Sequence, residues 1–299
     1  LQSLLADRRF GSRDRRLYRE LLFTALRHAR ALAALPNEDT DAWAALLARA
    51  CAVSRETEAF RAAFASLPAP APAALELVPE WFAAECESAP DHPPPAELAA
   101  ALLARAPVWV RLQTATPDAV LAEWAARGWN AAHHPALPDA WRLAPETNIS
   151  ACPAYSEGHY EIQDLGSQLI LASLDLPATS PGPRWLDACA GAGGKTLQLA
   201  RLLGPSARID AADVRPAALA ELRARAARAG LAERVRTLSA PPADSSGYDG
   251  VLVDAPCSGG GTWRRSPHLM ACTTVADLAA SAELQGRILA QSAAHVRPG

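Results

Sequence analysis

The sequence predicts an α/β fold in which the C-terminal half contains a parallel sheet covered by helices. From residue 184 onward, short apolar segments typical of strands alternate with longer segments that carry apolar residues at helical spacing. Strands that are apolar along their whole length and alternate with helices indicate a parallel sheet buried on both faces. The chain has 299 residues, which exceeds the usual domain of about 100 to 200 residues, so we expect more than one domain.

Composition narrows the class of protein. Apolar residues make up 50% of the chain, charged residues 20%, and the formal net charge is −3, as in ordinary globular proteins. The sequence has neither an apolar run of about 18 residues nor a signal-like start, so we expect a cytoplasmic protein without a membrane partner. The six cysteines form no CxxC pair, which predicts reduced thiols and no metal site. Because the sequence starts without methionine and stops at Gly299 within a regular pattern, we expect it to be part of a longer protein.

Residues 1–70 are predicted to form a helical, basic region. The apolar positions at helical spacing are Leu17, Leu21, Leu22, Ala25, Leu26 and Ala29. Eight arginines, Arg27 among them, lie between Asp7 and Arg30 against three acidic residues, and we expect them on the opposite face. Arginine clusters bind phosphate through charge and paired hydrogen bonds, so this face indicates a polyanion contact. A solvated helix face explains the same pattern, and both interpretations stay open.

Residues 71–150 are predicted to contain a linker and a small α/β module. Proline-rich stretches at 68–72 and 89–95 are typical of linkers or rigid turns. Residues 108–114 alternate like a strand, and residues 117–128 resemble a helix that ends at a C-cap glycine. The module's tryptophans could stack on bases, but their spacing favours packing in a core. They are Trp109, Trp124, Trp129 and Trp141.

Residues 151–299 are predicted to form the α/β domain itself. We predict strands at 184–189, 208–214, 234–239 and 250–256, and helices at 195–203, 216–230 and 284–296. Ligands of such sheets bind beyond the carboxyl ends of the strands. The residues that suggest chemistry all follow strands in this way: Asp187 to Lys195, Asp213, and Asp254 to Cys257.

The first of these strand ends is followed by the glycine-rich sequence DACAGAGGKT at 187–196. A phosphate loop would need glycine where the chain has Cys189, and the dinucleotide pattern GxGxxG would need glycine at Thr196. Both patterns therefore fail by one residue. The small residues still allow a ligand to approach the backbone closely at the start of a helix.

The second strand end favours an adenosine ligand. Asp213 follows the glycine loop by about twenty residues, where a carboxylate accepts hydrogen bonds from ribose hydroxyls. Such an acid, together with helix amides that attract an anion, fits a nucleoside with a carboxylate tail, such as S-adenosyl-L-methionine (SAM). Lys195, the one lysine of the chain, is a compact charge suited to that carboxylate. A surface lysine at a helix start and a helix-capping aspartate before Pro216 are the alternatives.

The fourth strand leads into VDAPCSGGGTWRRSP at 253–267, where a proline-cysteine pair follows an aspartate. With this motif the chain resembles the Sun/Fmu family of RNA (cytosine-5)-methyltransferases, which includes the bacterial RsmB-like ribosomal RNA enzymes. The other matching segments are GSRDRRLYRELLFTALRH, PAYSEGHYEIQDLGSQLI and DACAGAGGKT.

The resemblance implies an N-terminal region similar to antitermination factor NusB, a small RNA-binding module, and a Rossmann-like methyltransferase domain at 151–299. It implies SAM as cofactor and ribosomal RNA as partner. The implied cofactor contacts are Cys189, Ala190, Gly191, Ala192, Gly193, Gly194, Lys195, Asp213 and Asp254. Asp254 would contact the methyl donor or the cytosine amino group, and Cys257 would assist release of the methylated product. Candidate RNA contacts are Arg13, Arg15, Arg16 and Arg265.

The implied reaction needs cysteine chemistry. Carbon 5 of cytosine is a poor nucleophile, so a thiolate first adds to carbon 6, carbon 5 then takes the methyl group, a base removes the carbon 5 proton, and the thiolate leaves. A thiolate both attacks and leaves well, unlike a serine hydroxyl. The target base must also leave its stack, which costs a few kcal/mol and favours unpaired RNA.

The sequence departs from the family pattern in several places. The family nucleophile lies in a TCS motif after the fifth strand, and the sequence ends before that point, so we expect the domain to lack its C-terminal strands. An adenine-reading aspartate is replaced by Ala240 and a basic residue after the ribose acid by Ala218, although Arg215 could substitute. Each lost charged hydrogen bond costs about 1.5 to 3 kcal/mol, which predicts weakened SAM binding.

Two alternatives to the methyltransferase stay open. One is a degenerate family member that binds RNA without methylating it. The other is a phosphate-loop nucleotide hydrolase, because VLVD at 251–254 resembles its second acidic strand, although Cys189 argues against it. The sequence identifies neither the target nucleotide nor a protein partner.

Overall fold

The computed structural model describes residues 10–89, 91–174, 176, 182–242 and 247–298. The helices are α1 (Ser12–Arg27), α2 (Ala29–Ala33), α3 (Thr40–Ala50), α4 (Glu58–Phe64), α5 (Ala74–Leu77), α6 (Phe82–Glu87), α7 (Pro95–Leu103), α8 (Pro117–Ala126), α9 (Pro153–Ser156), α10 (Leu165–Ala172), α11 (Gly194–Leu202), α12 (Pro216–Arg228), α13 (Pro267–Cys272) and α14 (Val275–Ala293). The strands are β1 (Val108–Leu112), β2 (Ala132–His134), β3 (Leu137–Leu143), β4 (Tyr160–Ile162), β5 (Arg184–Asp187), β6 (Arg208–Ala212), β7 (Val235–Leu238) and β8 (Gly250–Leu252). Within these described ranges, none of the helices has the length and apolar character needed to cross a membrane.

The chain divides into two compact units, and the division differs from the predicted boundaries at 70 and 150. The first unit contains Leu1–Arg105 and Gly259–Asp277, and the second contains Ala106–Ser258 and Leu278–Gly299. The residues of the predicted linker region up to 105 thus belong with the N-terminal helices. Likeness to NusB and RNA binding by either segment stay predictions.

The first unit is helical and includes a segment from late in the sequence. Trp263 and Met270 are buried in one core cluster with Val78, Phe82 and Ala99. Trp263 also lies edge-on to Trp81, with ring centroids 6.1 Å apart. Burying these large apolar side chains is what holds residues 259–277 in the helical unit.

Helix α1 has a different buried face from the one that its sequence predicts. Thr24 and Arg27 are its buried residues, while the predicted apolar positions are only partly covered. The expectation that Arg27 lies on an exposed basic face is wrong. Its guanidinium donates from Nη2 to the carbonyl oxygen of Arg264 at 3.2 Å, which satisfies a buried polar group that would otherwise oppose folding.

The second unit contains a small antiparallel sheet with strand order β2-β3-β1-β4. Val108 of β1 lies opposite Leu143 of β3, and Leu112 lies opposite Tyr160 of β4. Because β4 lies beyond residue 150, the predicted boundary would cut this sheet. Trp124 is buried beneath it, with its ring centroid 5.1 Å from that of Tyr160, as core packing predicts.

A parallel sheet with strand order β7-β6-β5-β8 forms the rest of the second unit. Leu186 of β5 pairs with Asp210 of β6 and with Val251 of β8, all in parallel register. Alternate strand residues enter separate core clusters, Trp185 in one and Leu186 in another. The prediction of a parallel α/β sheet is therefore confirmed.

Helix α14 begins at Val275, earlier than the predicted Leu284. The reason is a reciprocal N-terminal cap. The Thr274 hydroxyl donates to Asp277 Oδ2 at 2.7 Å, and the Asp277 amide donates to the Thr274 hydroxyl at 3.2 Å. After the helix, Val296 forms a parallel bridge with Tyr248, just ahead of β8.

Candidate functional site

The loop from β5 to α11 is held by a buried aspartate. Asp187 ends β5 and is 1% exposed. Its Oδ2 accepts from the Thr196 hydroxyl at 2.6 Å, and its Oδ1 accepts from the Cys189 amide at 3.4 Å. Burial raises the pKa of Asp187 to about 6, because it penalises the charged form by more than these two hydrogen bonds stabilise it. This carboxyl closes the loop rather than facing a ligand.

Glycines give the same loop a shape that other residues would resist. Gly191 and Gly193 have φ values of +54° and +88°, in the left-handed region. A Cβ atom at Gly193 would lie 2.7 Å from Leu222 Cγ in α12. The loop can therefore pack directly against α12, and α11 starts immediately after it with amide groups that have no acceptor inside the helix.

Asp213 follows β6 and contacts this loop. Its Oδ2 accepts from the Gly191 amide at 2.8 Å, and its Oδ1 accepts from the Arg215 amide at 2.9 Å. The Arg215 side chain adds two further bonds, from Nε to Oδ1 and from Nη2 to Oδ2, both at 2.9 Å. These side-chain bonds are the main cause that lowers the pKa of Asp213 to about 2, so the carboxylate is charged at neutral pH.

Lys195 is not a solvated surface lysine. Its side chain is 12% exposed, and its Nζ lies 2.8 Å from Asp254 Oδ2. It also donates to the Ser167 hydroxyl at 3.3 Å. The expected carboxylate partner is thus supplied by the protein itself, and two of the predicted site residues are brought together. An ammonium group has three protons, so these two bonds leave one for a ligand.

The predicted residues line one cavity of about 750 Å³ in the second unit. Those that line it are Cys189, Ala190, Gly191, Ala192, Gly194, Lys195, Asp213, Asp254 and Cys257. Gly193 is not among them, because its backbone lies against Leu222 instead. The loop, the ribose-type acid and the proline-cysteine motif therefore share a single cavity.

Several lining residues were not found from the sequence. Gln163 and Ser167 come from the segment before α10 and from α10 itself, within one of the stretches that resemble the Sun/Fmu family. Val214 follows Asp213, and its proximity to it along the chain was a usable signal. Arg215, which the sequence offers as a substitute for the basic residue missing at Ala218, also lines the cavity. Helix α14 also contributes, although its sequence shows only an ordinary helical pattern. The lining residues from that end of the chain are Ile288, Gln291, Ser292 and His295.

A buried ion cluster supports the loop from behind. Glu161 of β4 is fully buried and accepts from Arg225 Nε at 3.0 Å and from Arg228 Nη2 at 2.6 Å. Arg225 also donates from Nη1 to the carbonyl oxygen of Ala192 at 2.8 Å. Charge-assisted hydrogen bonds of this kind restrict the geometry of the groups that make them, so β4 and α12 together hold the loop backbone in place.

The candidate RNA contacts lie in the first unit. Arg13 and Arg16 of α1 are exposed, and each bonds to the turn before α4, Arg13 to the Arg55 carbonyl at 3.4 Å and Arg16 to Glu56 at 2.8 Å. Arg15 is half-buried and Arg265 is exposed. Among the residues that the structure describes, no group of three or more His, Cys, Asp or Glu side chains could hold a metal ion.

Comparison with known proteins identifies the parallel-sheet part of the chain. Residues 176–299 match the family of 16S rRNA methyltransferases RsmB/F. These residues belong to the RsmB/F methyltransferase family. The resemblance to the Sun/Fmu group is thereby confirmed, and the RsmB/F assignment favours an adenosine ligand over a phosphate loop at Cys189.

Curated relatives agree with the RsmB/F assignment, and a solved structure shares the fold. The chain is 34% identical over 202 residues to Ribosomal RNA small subunit methyltransferase B of Xanthomonas campestris. The matched residues make up 65% of this chain and 45% of that protein. The chain thus spans about half the length of the curated relatives it matches. The crystal structure of PH0851 superposes with a TM-score of 0.74 at 20% identity, over 97% of this chain and 76% of that one.

A second solved structure is described as a methyltransferase homolog protein from Pyrococcus horikoshii. It matches with a TM-score of 0.57 at 24% identity and covers 69% of this chain and 66% of its own. At these identities the likeness establishes the fold. The RsmB/F domain therefore has a Rossmann-like methyltransferase fold.

Proposed function

We propose that this chain belongs to an enzyme that transfers a methyl group from SAM to carbon 5 of cytosine in ribosomal RNA. The observation that carries the proposal is the single cavity that joins the glycine loop, Asp213 and the Asp254-to-Cys257 motif. Family membership and the names of the relatives support methylation of ribosomal RNA. The choice of cytosine carbon 5 rests on the proline-cysteine motif.

The cavity fits SAM in size and in the groups that line it. Its volume of about 750 Å³ lies within the range of about 300 to 1,000 Å³ that small-molecule sites occupy. Gly191 lines the cavity and has no side chain, so a ligand can come close to its backbone. The ionised Asp213 lies beside it and has the charge and position of a ribose acceptor.

Residues of the chain would hold the two ends of the cofactor. The free amides at the start of α11 and the remaining proton of Lys195 attract a carboxylate. Asp254 fixes the Lys195 ammonium at the cavity wall, which positions that charge before a ligand arrives. When bound, SAM supplies an electrophilic methyl group on a sulfonium centre.

Cys257 lies on the same cavity at the end of a braced loop. Gln285 of α14 donates from Nε2 to the carbonyl oxygen of Pro256 at 2.9 Å, which holds the backbone next to the thiol. We assign Cys257 to product release, where it assists loss of the carbon 5 proton so that the attacking thiolate can leave carbon 6.

Methyl transfer tests the proposed reaction. We expect the full-length protein, given SAM with a radiolabelled methyl group and ribosomal RNA, to place the label in 5-methylcytosine after digestion to nucleosides. Asp213→Asn should lose most of this activity, whereas Asp139→Asn, a carboxylate that pairs with Arg201 outside the cavity, should retain it. Label in any other nucleoside would refute the assignment.

The role of Cys257 has its own test. We expect Cys257→Ala in the full-length protein to accumulate a covalent adduct with RNA, seen as a slower band on denaturing gels, because the thiolate adds but does not leave. Cys272→Ala, outside the cavity-lining set, is the matched control. A protein that methylates RNA but forms no adduct after the Cys257 change would contradict the release role.

A degenerate family member that binds RNA without methylating it is the second candidate. Ala240 and Ala218 replace two expected cofactor contacts, and the Asp213 carboxylate is already bonded to Arg215. Isothermal titration with S-adenosylhomocysteine separates the two candidates. Binding at micromolar concentrations supports the enzyme, and no binding at millimolar concentrations supports the RNA-binding protein.

A further inference from the structure

The Asp213 carboxylate has every acceptor position engaged by the protein. An ionised carboxylate offers about four acceptor sites on its two oxygens. Two of the four donors are backbone amides, those of Gly191 and Arg215. The other two come from the Arg215 guanidinium, whose Nε and Nη2 bind one oxygen each at 2.9 Å. A ribose hydroxyl can therefore reach this carboxylate only if one of the four donors leaves.

The guanidinium is the donor that can leave. The two amides are fixed by the turn at Gly191 and by the start of α12, and moving either would deform the loop. The Arg215 side chain is 67% exposed, so water can take over its hydrogen bonds once it moves. The guanidinium lies next to the loop, since its Nη2 is 3.5 Å from where a Cβ on Gly191 would be.

We propose that Arg215 competes with the ribose of the cofactor for Asp213, so that this side chain lowers cofactor affinity. This inference rests on the proposed function, because it takes an adenosyl ligand to be what binds at Asp213. Binding then requires the guanidinium to swing away from the carboxylate while the two amide bonds persist. Arg215 is a specificity-determining residue in this scheme. Ribose hydroxyls can replace its hydrogen bonds to Asp213, whereas a ligand without the diol cannot.

Isothermal titration with S-adenosylhomocysteine tests the competition. We expect Arg215→Ala to bind this ligand about fivefold more tightly than the unchanged protein, which is the factor that an exposed ion pair of ~1 kcal/mol produces. Arg215→Gln, which can donate only through one amide group, should show a smaller gain. The matched control is Arg223→Ala on the same helix, where the arginine bonds to Thr237 and does not line the cavity. Its affinity should equal that of the unchanged protein.

A ligand without the diol separates competition from a general effect on the loop. With the 2′,3′-dideoxy analogue of S-adenosylhomocysteine, the gain caused by Arg215→Ala should disappear, because no hydroxyl then seeks the carboxylate. Unchanged or weaker binding of S-adenosylhomocysteine by Arg215→Ala would overturn the inference while leaving the proposed function intact. Absence of binding by all the proteins, at millimolar ligand, would overturn the proposed function itself.

Discussion

Two aspartates end neighbouring strands of the same parallel sheet, yet their environments oppose each other. Asp187, at the end of β5, is buried and accepts hydrogen bonds from one hydroxyl and one backbone amide. Its pKa is raised to about 6. Asp213, after β6, is almost as buried, but a guanidinium fork lowers its pKa to about 2. Desolvation without a charged donor at Asp187, and the charged partner of Asp213, therefore set the two pKa values apart.

The largest effect on the free energy of unfolding should come from the glycine loop, which lies between the two aspartates in the sequence. Gly193→Ala would place a methyl group 2.7 Å from Leu222 Cγ at a φ of +88°. We expect a loss of about 2 to 4 kcal/mol in the free energy of unfolding, from backbone strain together with overpacking. Urea denaturation measures it.

Gly204→Ala is the matched control for that change. Gly204 has a similar φ of +82°, and a Cβ there would meet no atom within 4 Å. This variant should lose only about 1 kcal/mol, the strain contribution alone. Equal losses in the two variants would show that contact with Leu222 does not shape the loop.

The next largest effect is the pH dependence of stability that results from the raised pKa of Asp187. Because its pKa in the folded protein, about 6, lies above the ordinary value of 3.8, its contribution to stability is complete below about pH 4 and is lost as the pH rises through 6. The expected loss is about 2 to 3 kcal/mol. Urea denaturation of the unchanged protein and of Asp187→Asn, from pH 4 to pH 7, should show the difference between them change across this window. Parallel stability curves would contradict the raised pKa.

The smallest effect on stability is expected at Asp213, where the pH dependence has the opposite sign. Its folded pKa of about 2 lies below 3.8, so its stabilising contribution is present above about pH 4 and is lost as the pH falls through 2. Since Arg215 is mostly exposed, we expect Asp213→Asn to cost only about 1 kcal/mol at pH 7.

Unfolding by urea at pH 7 and at pH 3 checks the Asp213 prediction. The difference between Asp213→Asn and the unchanged protein should shrink at the lower pH. An equal difference at both values would show that the ion pair with Arg215 contributes nothing to folding.

The sequence predicts the parallel sheet and much of the cavity wall because both depend on local patterns. Strand ends in a parallel sheet meet at one edge, so the amino-acid sequence alone is enough to place Asp213, Lys195 and Asp254 together. The guanidinium fork of Arg215 could not be foreseen, because it depends on a side-chain rotamer. The lining residues of α14, such as Gln291, were missed for a related reason: tertiary packing decides which helical face meets the cavity.

Errors in the N-terminal part have a common physical origin. Arg27 was placed on an exposed face because charge predicts exposure, whereas a distant carbonyl group, that of Arg264, allows its burial. The boundary at residue 150 was misplaced because β4 is only three residues long, and its pairing with β1 is a long-range contact without a local signal.

The passage of residues 259–277 through the helical unit has a consequence for biosynthesis. The core around Val78 and Phe82 lacks Trp263 and Met270 until those residues leave the ribosome, long after the first helices have emerged. The helical unit therefore cannot reach its final packing during early translation, and its last step must follow synthesis of β5 through β8. A nascent chain released at residue 258 would leave this part of the helical core uncovered, whereas one released at residue 277 would contain the residues that cover it.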